Sequence, residues 1–272
     1  MLVHGIGLGA WLWEPWMPAF AQAGLRTLAV SLGTENRSFV ETVAAVERVL
    51  DGAGERPLLV GHSRGGLVAQ TIAARRPLAG LALICPLPPG QIQVWPPMIA
   101  RRRQVGLVAA LASGRPARVS WPLYRQLGLD RMDEDTAKAC YARTLPWSAR
   151  LAIDLALRRP VVDVRRVTAP VLVCIGKEDR LVPWQKARML ADLYDAVTWR
   201  YDTLGHMPPY EPGGERMGTD LAGWLAAPTR PEVLESEGFA PNEGVGHALR
   251  AERRGEAARR RSAYGQKRSG RA

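Results

Sequence analysis

The stretch Pro57–Arg75, PLLVGHSRGGLVAQTIAAR, decides the fold of this chain. It opens with an apolar run that ends at Gly61, continues through the G-x-S-x-G sequence of residues 61–65, and closes with helical apolar spacing between Leu67 and Ala73. Strand, tight turn and helix in this order are the setting in which G-x-S-x-G carries a catalytic mechanism. The flanking strand and helix favour this interpretation over an ordinary loop in a glycine-rich chain.

The predicted turn places Ser63 at its apex, between Gly61 and Gly65. Only glycine clears the neighbouring backbone in so sharp a turn. We expect the Ser63 hydroxyl to be exposed there, and the amides of Ser63 and Arg64 to point out of the start of the helix. Because negative charge is stabilised at a helix N-terminus, the stretch predicts a nucleophilic serine beside a site for a developing anion.

Composition predicts one large α/β domain followed by a basic tail. The 272 residues are 47% apolar and 23% charged, which is ordinary for a globular protein. The net charge is +11, but residues 246–272 alone hold nine Lys or Arg against two Glu. The apolar pattern fades from residue 228, so we expect 228–272 to be a basic, disordered tail. The basicity therefore argues only weakly for contact with nucleic acid or anionic lipid.

Neither a membrane span nor a cofactor is predicted. No stretch approaches the ~20 apolar residues that cross a bilayer, and the N-terminus lacks a basic region leading into an apolar one. We therefore predict a cytoplasmic location. The scattered cysteines fit buried reduced thiols better than a disulfide framework or a metal site, and we expect no metal and no cofactor. These cysteines are Cys85, Cys140 and Cys174.

Alternating patterns predict a doubly wound, mostly parallel sheet. Besides the apolar run before Gly61, strands are expected at 26–32, 81–84, 170–176 and 197–201. Helices are expected at 11–24, 38–50, 184–193 and 213–225. The helix at 38–50 begins with a capping box, because Ser38 is followed three residues later by Glu41.

The alternation stops at Pro86 and resumes after residue 165, which predicts a helical cap at 87–165 on a core made of 1–86 and 166–227. Helical patterns in this insertion lie around 98–112 and 133–158. The arginine run 101–103 fits a solvated helix face better than recognition of an acidic substrate. Its tryptophans fit the core or the wall of a substrate pocket: Trp95, Trp121 and Trp147.

Three residues follow predicted strands in a consistent order: Ser63, Asp179 and His206. Loops at the carboxyl ends of parallel strands meet along one edge of the sheet, so these residues can share a site. A serine hydroxyl needs a base to take its proton, a histidine can do so, and a carboxylate holds the imidazole in the right tautomer. Glu178 is the rival to Asp179, although the turn-like context favours the shorter side chain.

The other histidines are weaker candidates for the base. His62 precedes the serine, so its side chain should leave the turn in another direction, and His247 lies in the tail. His4 lies in a glycine-rich loop, which it should hold by hydrogen bonds. That loop lacks the G-x-G-x-x-G spacing of a dinucleotide site, and it could instead bring a backbone N–H to the serine.

These segments resemble the α/β-hydrolase superfamily, in its capped esterase, lipase and lysophospholipase-like branch. The matching pieces are LVHGIGLG at 2–9, VGHSRGG at 60–66, GKEDRLVP at 176–183 and GHMPPYEP at 205–212. The resemblance spans most of 2–226, and the order Ser, Asp, His is that of the family. It implies an oxyanion hole made by the backbone N–H groups of Ile6 and Arg64, with His4, Gly5, Gly61 and Gly65 in supporting loops.

The chain departs from the family pattern in two places. Family members usually have two strands and a full third strand before the His-Gly loop, whereas this chain starts within that third strand. We therefore expect a sheet that lacks its first strands. The family loop after the strand at 26–32 usually reads like R-G-H-G, whereas here it is Gly33–Arg37, and a shorter loop would widen the mouth of the pocket.

The function predicted from these residues is hydrolysis of a small carboxylic ester with an apolar acyl group, by Ser63, His206 and Asp179 through an acyl-enzyme. Hydroxynitrile lyase-like, aminopeptidase and perhydrolase chemistry remain alternatives on the same fold. An Asp nucleophile would be expected for a dehalogenase or a typical epoxide hydrolase, which disfavours both. A degenerate hydrolase acting as a binding module through its tail is the non-enzymatic alternative. The sequence does not indicate an oligomeric state.

Overall fold

The structure, a computed structural model, describes residues 1–228 apart from 34–36, 54–55, 93–108 and 111. The predicted basic tail lies outside the described residues except for Pro228. The same holds for most of the helix predicted at 98–112, for the arginine run 101–103 and for Trp95. Three residues of the Gly33–Arg37 loop also fall outside this range.

A parallel sheet of five strands forms the centre of the described chain, as the sequence predicts. Its strands lie side by side in the order β1 to β5. They are β1 (Leu2–Val3), β2 (Leu58–His62), β3 (Gly80–Ile84), β4 (Val171–Gly176) and β5 (Val197–Tyr201). Every neighbouring pair is parallel, so the carboxyl ends of all five strands lie at one edge.

The prediction of a full strand at 26–32 is wrong. Only an isolated parallel bridge joins Ala29 to Leu2, with hydrogen bonds from the Leu2 amide to the Leu28 carbonyl and from the Val30 amide to the Leu2 carbonyl. The reason is the length of its partner, since β1 has two residues and offers no further ladder positions.

Helices cover both faces of the sheet. The strand residues Leu81, Leu83 and Val173 share one hydrophobic core with the helices α2, α3 and α7. The residues between them face the opposite side, because strand side chains alternate. On that side α8 packs against α1 and contacts β3. The helices are α1 (Met17–Gln22), α2 (Phe39–Leu50), α3 (Arg64–Ala73), α7 (Trp184–Tyr194) and α8 (Gly214–Ala226).

Two helix starts illustrate what sequence patterns settle locally. The capping box of α2 forms as predicted, with Ser38 and Glu41 bonding to each other's backbone amides. The helix predicted at 11–24 instead begins as a 3-10 helix, Ala10–Trp16, with Pro15 inside it, and becomes α-helical only from Met17.

The described part of the predicted cap contains three helices joined by irregular segments. They are α4 (Trp121–Leu127), α5 (Glu134–Ala142) and α6 (Ala149–Ala156). The single helical stretch predicted at 133–158 is therefore two helices, separated by residues 143–148. In that separating segment Trp147 forms an isolated antiparallel bridge with Ala117.

Candidate active site

The turn after β2 holds Ser63 in a strained conformation. Its φ and ψ are 52° and −121°, a combination that residues other than glycine rarely adopt. A Cβ on Gly61 would lie 2.4 Å from the Gly65 carbonyl oxygen, and a Cβ on Gly65 would lie 2.2 Å from the Val3 carbonyl oxygen. Both positions therefore need glycine. The turn forces Ser63 out of line with β2 and starts α3 at the next residue.

Ser63, His206 and Asp179, which we call the candidate triad, form one chain of hydrogen bonds. The Nε2 atom of His206 lies 3.0 Å from Ser63 Oγ, and its Nδ1 atom lies 2.8 Å from Asp179 Oδ2. They come from the carboxyl ends of β2, β4 and β5. All three are buried, Ser63 being 7% exposed. The sequence-based expectation of an exposed serine hydroxyl is therefore wrong, since the turn is covered, with the His206 ring in contact with the hydroxyl.

The second oxygen of Asp179 explains why aspartate suits this loop. Oδ1 accepts hydrogen bonds of 2.8 Å from the amides of Leu181 and Val182. This short-range turn fixes the carboxylate with Oδ2 directed at the histidine. Glu178, the rival named from the sequence, is exposed and does not enter the site.

The His-Gly loop, residues 4–9, follows β1 and lies beside the turn. The buried His4 ring spans it, bonding to the Gly5 carbonyl oxygen at 2.7 Å through Nδ1 and accepting the Leu32 amide at 3.1 Å through Nε2. An accepting Nε2 places the proton on Nδ1. Burial, and then the positive charge of Arg64, lower the pKa of His4 to about 3. His4 is therefore neutral near pH 7 and holds the loop by hydrogen bonds.

The amides of Ile6 and Arg64, predicted to bind an oxyanion, are both open. Neither has a hydrogen-bond acceptor among the residues that the structure describes. Arg64 is buried, and backbone N–H groups at buried positions are nearly always paired. Its open amide, and that of the half-buried Ile6, are therefore unusual.

Two residues whose contacts the sequence did not reveal hold the His206 loop. The buried ring of His62 bonds through Nε2 to the His206 carbonyl oxygen at 2.7 Å. Glu211 is 4% exposed, and its carboxylate accepts hydrogen bonds from the Gly205 and Met207 amides. Burial raises the pKa of Glu211, against the lowering effect of the two amides. The sequence offered only their positions as a signal: His62 stands next to Ser63, and Glu211 lies inside the GHMPPYEP segment.

The segment between α5 and α6 lies against the His-Gly loop. The Leu145 amide donates to the Gly7 carbonyl oxygen at 2.8 Å, and a Cβ on Gly7 would come within 2.6 Å of the Trp147 indole nitrogen. Arg143 forms a two-point ion pair with Glu14 at 2.6 and 2.8 Å. The contacts with Gly7 tie this segment to the loop that carries Ile6, and the ion pair ties it to the 3-10 helix that follows that loop.

The remaining chemically reactive groups are inert as placed. Cys85, Cys140 and Cys174 are free and buried, and burial raises the pKa of each thiol, that of Cys140 to about 11. Within the described ranges, no group of three or more His, Cys, Asp or Glu is arranged to hold a metal ion. None of the helices in residues 1–228, outside the four gaps, combines the length and apolar character that a membrane span requires.

The fold and this site define a class, which comparisons with known proteins identify. The model of the alpha/beta hydrolase family matches residues 1–216, and the chain belongs to that family. It is 32% identical over 219 residues to a Stutzerimonas stutzeri protein named as a carbamate hydrolase, RutD, covering 71% of this chain and 78% of that protein.

Two further similarities come from a curated protein and a solved structure. The chain is 28% identical over 229 residues to a pimeloyl-acyl-carrier-protein methyl ester esterase of Klebsiella pneumoniae, covering 76% of this chain and 86% of that protein. Among solved structures, a monoacylglycerol lipase of Paleococcus ferrophilus superposes with a TM-score of 0.66 at 20% identity, over 83% of this chain and 93% of the lipase. The chain is a hydrolase of this family, and esterases and lipases are among its structural neighbours.

Proposed function

We propose that this hydrolase cleaves a carboxylic ester through an acyl-enzyme formed on Ser63. The observation that carries the proposal is the unbroken hydrogen-bond chain from Ser63 Oγ through His206 to Asp179, at 3.0 and 2.8 Å. A serine hydroxyl is a weak nucleophile until an adjacent base takes its proton. Of the described histidines, His206 alone is bonded to both a serine hydroxyl and a carboxylate.

In the first half-reaction Ser63 Oγ attacks the ester carbonyl carbon while its proton passes to His206 Nε2. The carbonyl oxygen becomes an oxyanion, for which the open amides of Ile6 and Arg64 are the donors. When the intermediate collapses, the C–O bond to the alcohol breaks and the alcohol leaves with the proton from His206. The Asp179 side chain accepts the hydrogen bond from His206 Nδ1–H and stabilises the imidazolium that forms between these steps.

In the second half-reaction a water molecule replaces the alcohol. His206 takes a proton from the water as its oxygen attacks the acyl carbon, and the same oxyanion donors serve again. Collapse then breaks the bond to Ser63 Oγ, which recovers its proton from His206. The products are a carboxylic acid and the free enzyme, and the cycle uses no metal and no cofactor.

The substrate class follows from the relatives and from the cap. Relatives are named as a methyl ester esterase and a carbamate hydrolase, which supports a small ester or a closely related carbonyl compound. We infer that residues 87–165 form a cap on a core of 1–86 and 166–227. The contacts of Leu145 and Trp147 with Gly7 support a cap positioned over the His-Gly loop. We infer that the acyl group bound under this cap is apolar.

The cellular setting that best fits the cysteines is the cytoplasm. Three buried thiols that form no disulfide suit a reducing compartment.

The test is hydrolysis of p-nitrophenyl and methyl esters of increasing acyl length by wild-type protein and by Ser63→Ala. We expect a burst of p-nitrophenol equal to the enzyme concentration, followed by slower turnover, because an activated p-nitrophenyl ester should acylate Ser63 faster than water hydrolyses the acyl-enzyme. Ser63→Ala should lack both phases. Steady ester cleavage that survives in Ser63→Ala would contradict the acyl-enzyme route. Cleavage of cyanohydrins by a wild type that shows no burst on p-nitrophenyl esters would also contradict it.

A further inference from the structure

The side chain of Arg64 is buried against the His-Gly loop. Although arginine is rarely buried unless paired, this residue is only 6% exposed. Its Nη2 atom donates to the carbonyl oxygens of His4 and Gly5, both at 3.3 Å. Arg64 therefore stands next to the candidate nucleophile in sequence, while its guanidinium lies on the loop that carries the other oxyanion donor.

The charge of this guanidinium has no counter-ion in the described part of the chain. Within the described ranges no ion pair involves Arg64, and its buried Nε atom has no hydrogen-bond partner there. Burial lowers the pKa of Arg64 to about 10, so the group is still a cation at pH 7. Placing a bare cation in a protein interior is costly, which makes a purely structural role a poor explanation.

The acceptor of Arg64 is chemically linked to the proposed oxyanion hole. The Gly5 carbonyl and the Ile6 amide belong to one peptide group, and no peptide bond of the described chain is cis. In a planar trans peptide the C=O and N–H bonds point in opposite directions. Donors that hold the Gly5 oxygen therefore fix the direction in which the Ile6 N–H points.

Two donors hold that oxygen from the protein side. The His4 ring binds it at 2.7 Å and Arg64 binds it at 3.3 Å. Such bonds polarise the peptide group and make its N–H a stronger donor. A nearby uncompensated positive charge also favours any negative charge that develops on the far side of the same peptide.

We propose that Arg64 is a positioning residue that orients the Gly5–Ile6 peptide and polarises it toward the oxyanion of the reaction. The inference rests on the proposed function, because it assigns the Ile6 amide to the oxyanion. It differs from the backbone role predicted for Arg64, since here the side chain acts through another residue.

A substrate-binding role for the same guanidinium is less well supported. Arg64 also borders a cavity of about 20 Å³ with Ile6, Gly7 and Trp147, but neither Ser63 nor His206 lines that cavity. A substrate anion held there would lie outside the space that the candidate triad lines. The two roles still make opposite kinetic predictions, since positioning acts on kcat and substrate binding acts on KM.

The experiment compares wild type with Arg64→Met, Arg64→Gln and Arg64→Lys. For each, kcat per titrated active site and KM are measured on a p-nitrophenyl ester, together with the calorimetric affinity for a boronic acid, which forms a tetrahedral anion on a reactive serine. Gln70→Met is the matched control, because Gln70 is a buried polar residue of α3 whose side-chain bonds avoid the His-Gly loop.

Losing one oxyanion donor typically costs ~10²–10³ in rate, and losing its alignment should cost less. We expect Arg64→Met to lower kcat about 10- to 100-fold with KM within about 3-fold, and to weaken boronic acid binding by a similar factor. Arg64→Lys, which keeps the charge and one donor, should fall between Arg64→Gln and wild type. Gln70→Met should stay within about 2-fold in kcat. If Arg64→Met does not fold, the order of the other two variants carries the test.

Three results would overturn the inference. These are equal kcat and boronic acid affinity in all folded Arg64 variants, a rise in KM at unchanged kcat, or losses in Gln70→Met as large as those in Arg64→Met. Absence of ester hydrolysis in wild type would instead refute the proposed function. Boronic acid binding needs no turnover, so it would still decide whether Arg64 supports an anion on Ser63.

Discussion

The His62 ring bonds through Nε2 to the backbone carbonyl oxygen of His206 at 2.7 Å, although 144 residues separate the two in sequence. The two imidazole rings lie 4.9 Å apart, centroid to centroid. Because the His206 carbonyl can only accept, His62 carries its proton on Nε2. The strand that delivers the candidate nucleophile thus also fixes the backbone of the candidate base.

Replacing His62 with leucine should therefore impair His206, the candidate base, although His206 itself is unchanged. The freed His206 carbonyl would be a buried unsatisfied acceptor, which costs about 1–3 kcal/mol of unfolding free energy, and a misaligned His206 should lower kcat by about 10-fold. His62→Gln, whose amide can still donate, should recover part of the rate. Urea unfolding and ester kinetics on both variants check this, and equal rates in the two would show that the hydrogen bond has no catalytic consequence.

Glu211 should matter through the backbone that it holds. The two oxygens of its carboxylate accept the amides on either side of His206, whereas a glutamine would present an NH₂ group to one of them. We expect Glu211→Gln to lose about 1–3 kcal/mol in unfolding free energy and about 10-fold in kcat/KM. The exposed Glu178→Gln is the control and should change neither quantity. A wild-type rate and stability in Glu211→Gln would contradict this role.

Two glycine-to-alanine substitutions should change the stability of the fold in opposite directions. At Gly65 the new Cβ would lie 2.2 Å from the Val3 carbonyl oxygen, so the sheet or the turn must move. We expect a loss of about 3 kcal/mol or more. At Gly223, an exposed position inside α8, no neighbouring atom lies within 4 Å of the place that a Cβ would take, and alanine should stabilise by about 0.5–1 kcal/mol. Thermal unfolding of both variants tests the contrast, which a similar response at the two sites would refute.

Acid should begin to destabilise the fold at a pH well above the range in which carboxylates titrate. Burial lowers the pKa of both His4 and His62 far below 6.5, so the unfolded chain binds two protons that the folded chain excludes. Stability is therefore complete above pH 6.5 and falls as the pH drops below it. His4 alone predicts a loss of about 2 kcal/mol between pH 7 and pH 5, and His62 adds to this loss in the same direction.

Urea unfolding at pH 7, 6 and 5 measures this loss. His62→Gln removes one of the two groups and should make the unfolding free energy less dependent on pH. Burial raises the pKa of Glu211, which acts in the opposite sense and offsets part of the loss at the acidic end. Unfolding free energy that is flat over this range would contradict the assignment of both histidines as neutral.

The sequence predicted the parts of this molecule that depend on local pattern. The alternation of apolar runs was enough for the parallel sheet, and the capping box at Ser38 and Glu41 forms as expected. The three members of the candidate triad lie within hydrogen-bond distance of one another, as their positions after strands predict, because the carboxyl ends of parallel strands meet at one edge of the sheet.

The parts that it missed depend on partners distant in sequence. The segment 26–32 has the composition of a strand, but its neighbour β1 offers only two residues to pair with. His62 and Glu211 bond to the His206 loop, and Arg64 bonds to the Gly5 carbonyl oxygen. Nothing in the local sequence states which backbone oxygen or amide a buried polar side chain will meet.

The most direct test of the central claim is covalent labelling of folded wild-type protein with a fluorophosphonate, read by intact mass and peptide mapping. An activated serine predicts one adduct per chain, located on Ser63, with none in Ser63→Ala and at least about 10²-fold slower labelling in His206→Ala. Ester kinetics are not needed, so the result is independent of the substrate. A folded wild type that takes up no label, or takes it up elsewhere than Ser63, would contradict the account.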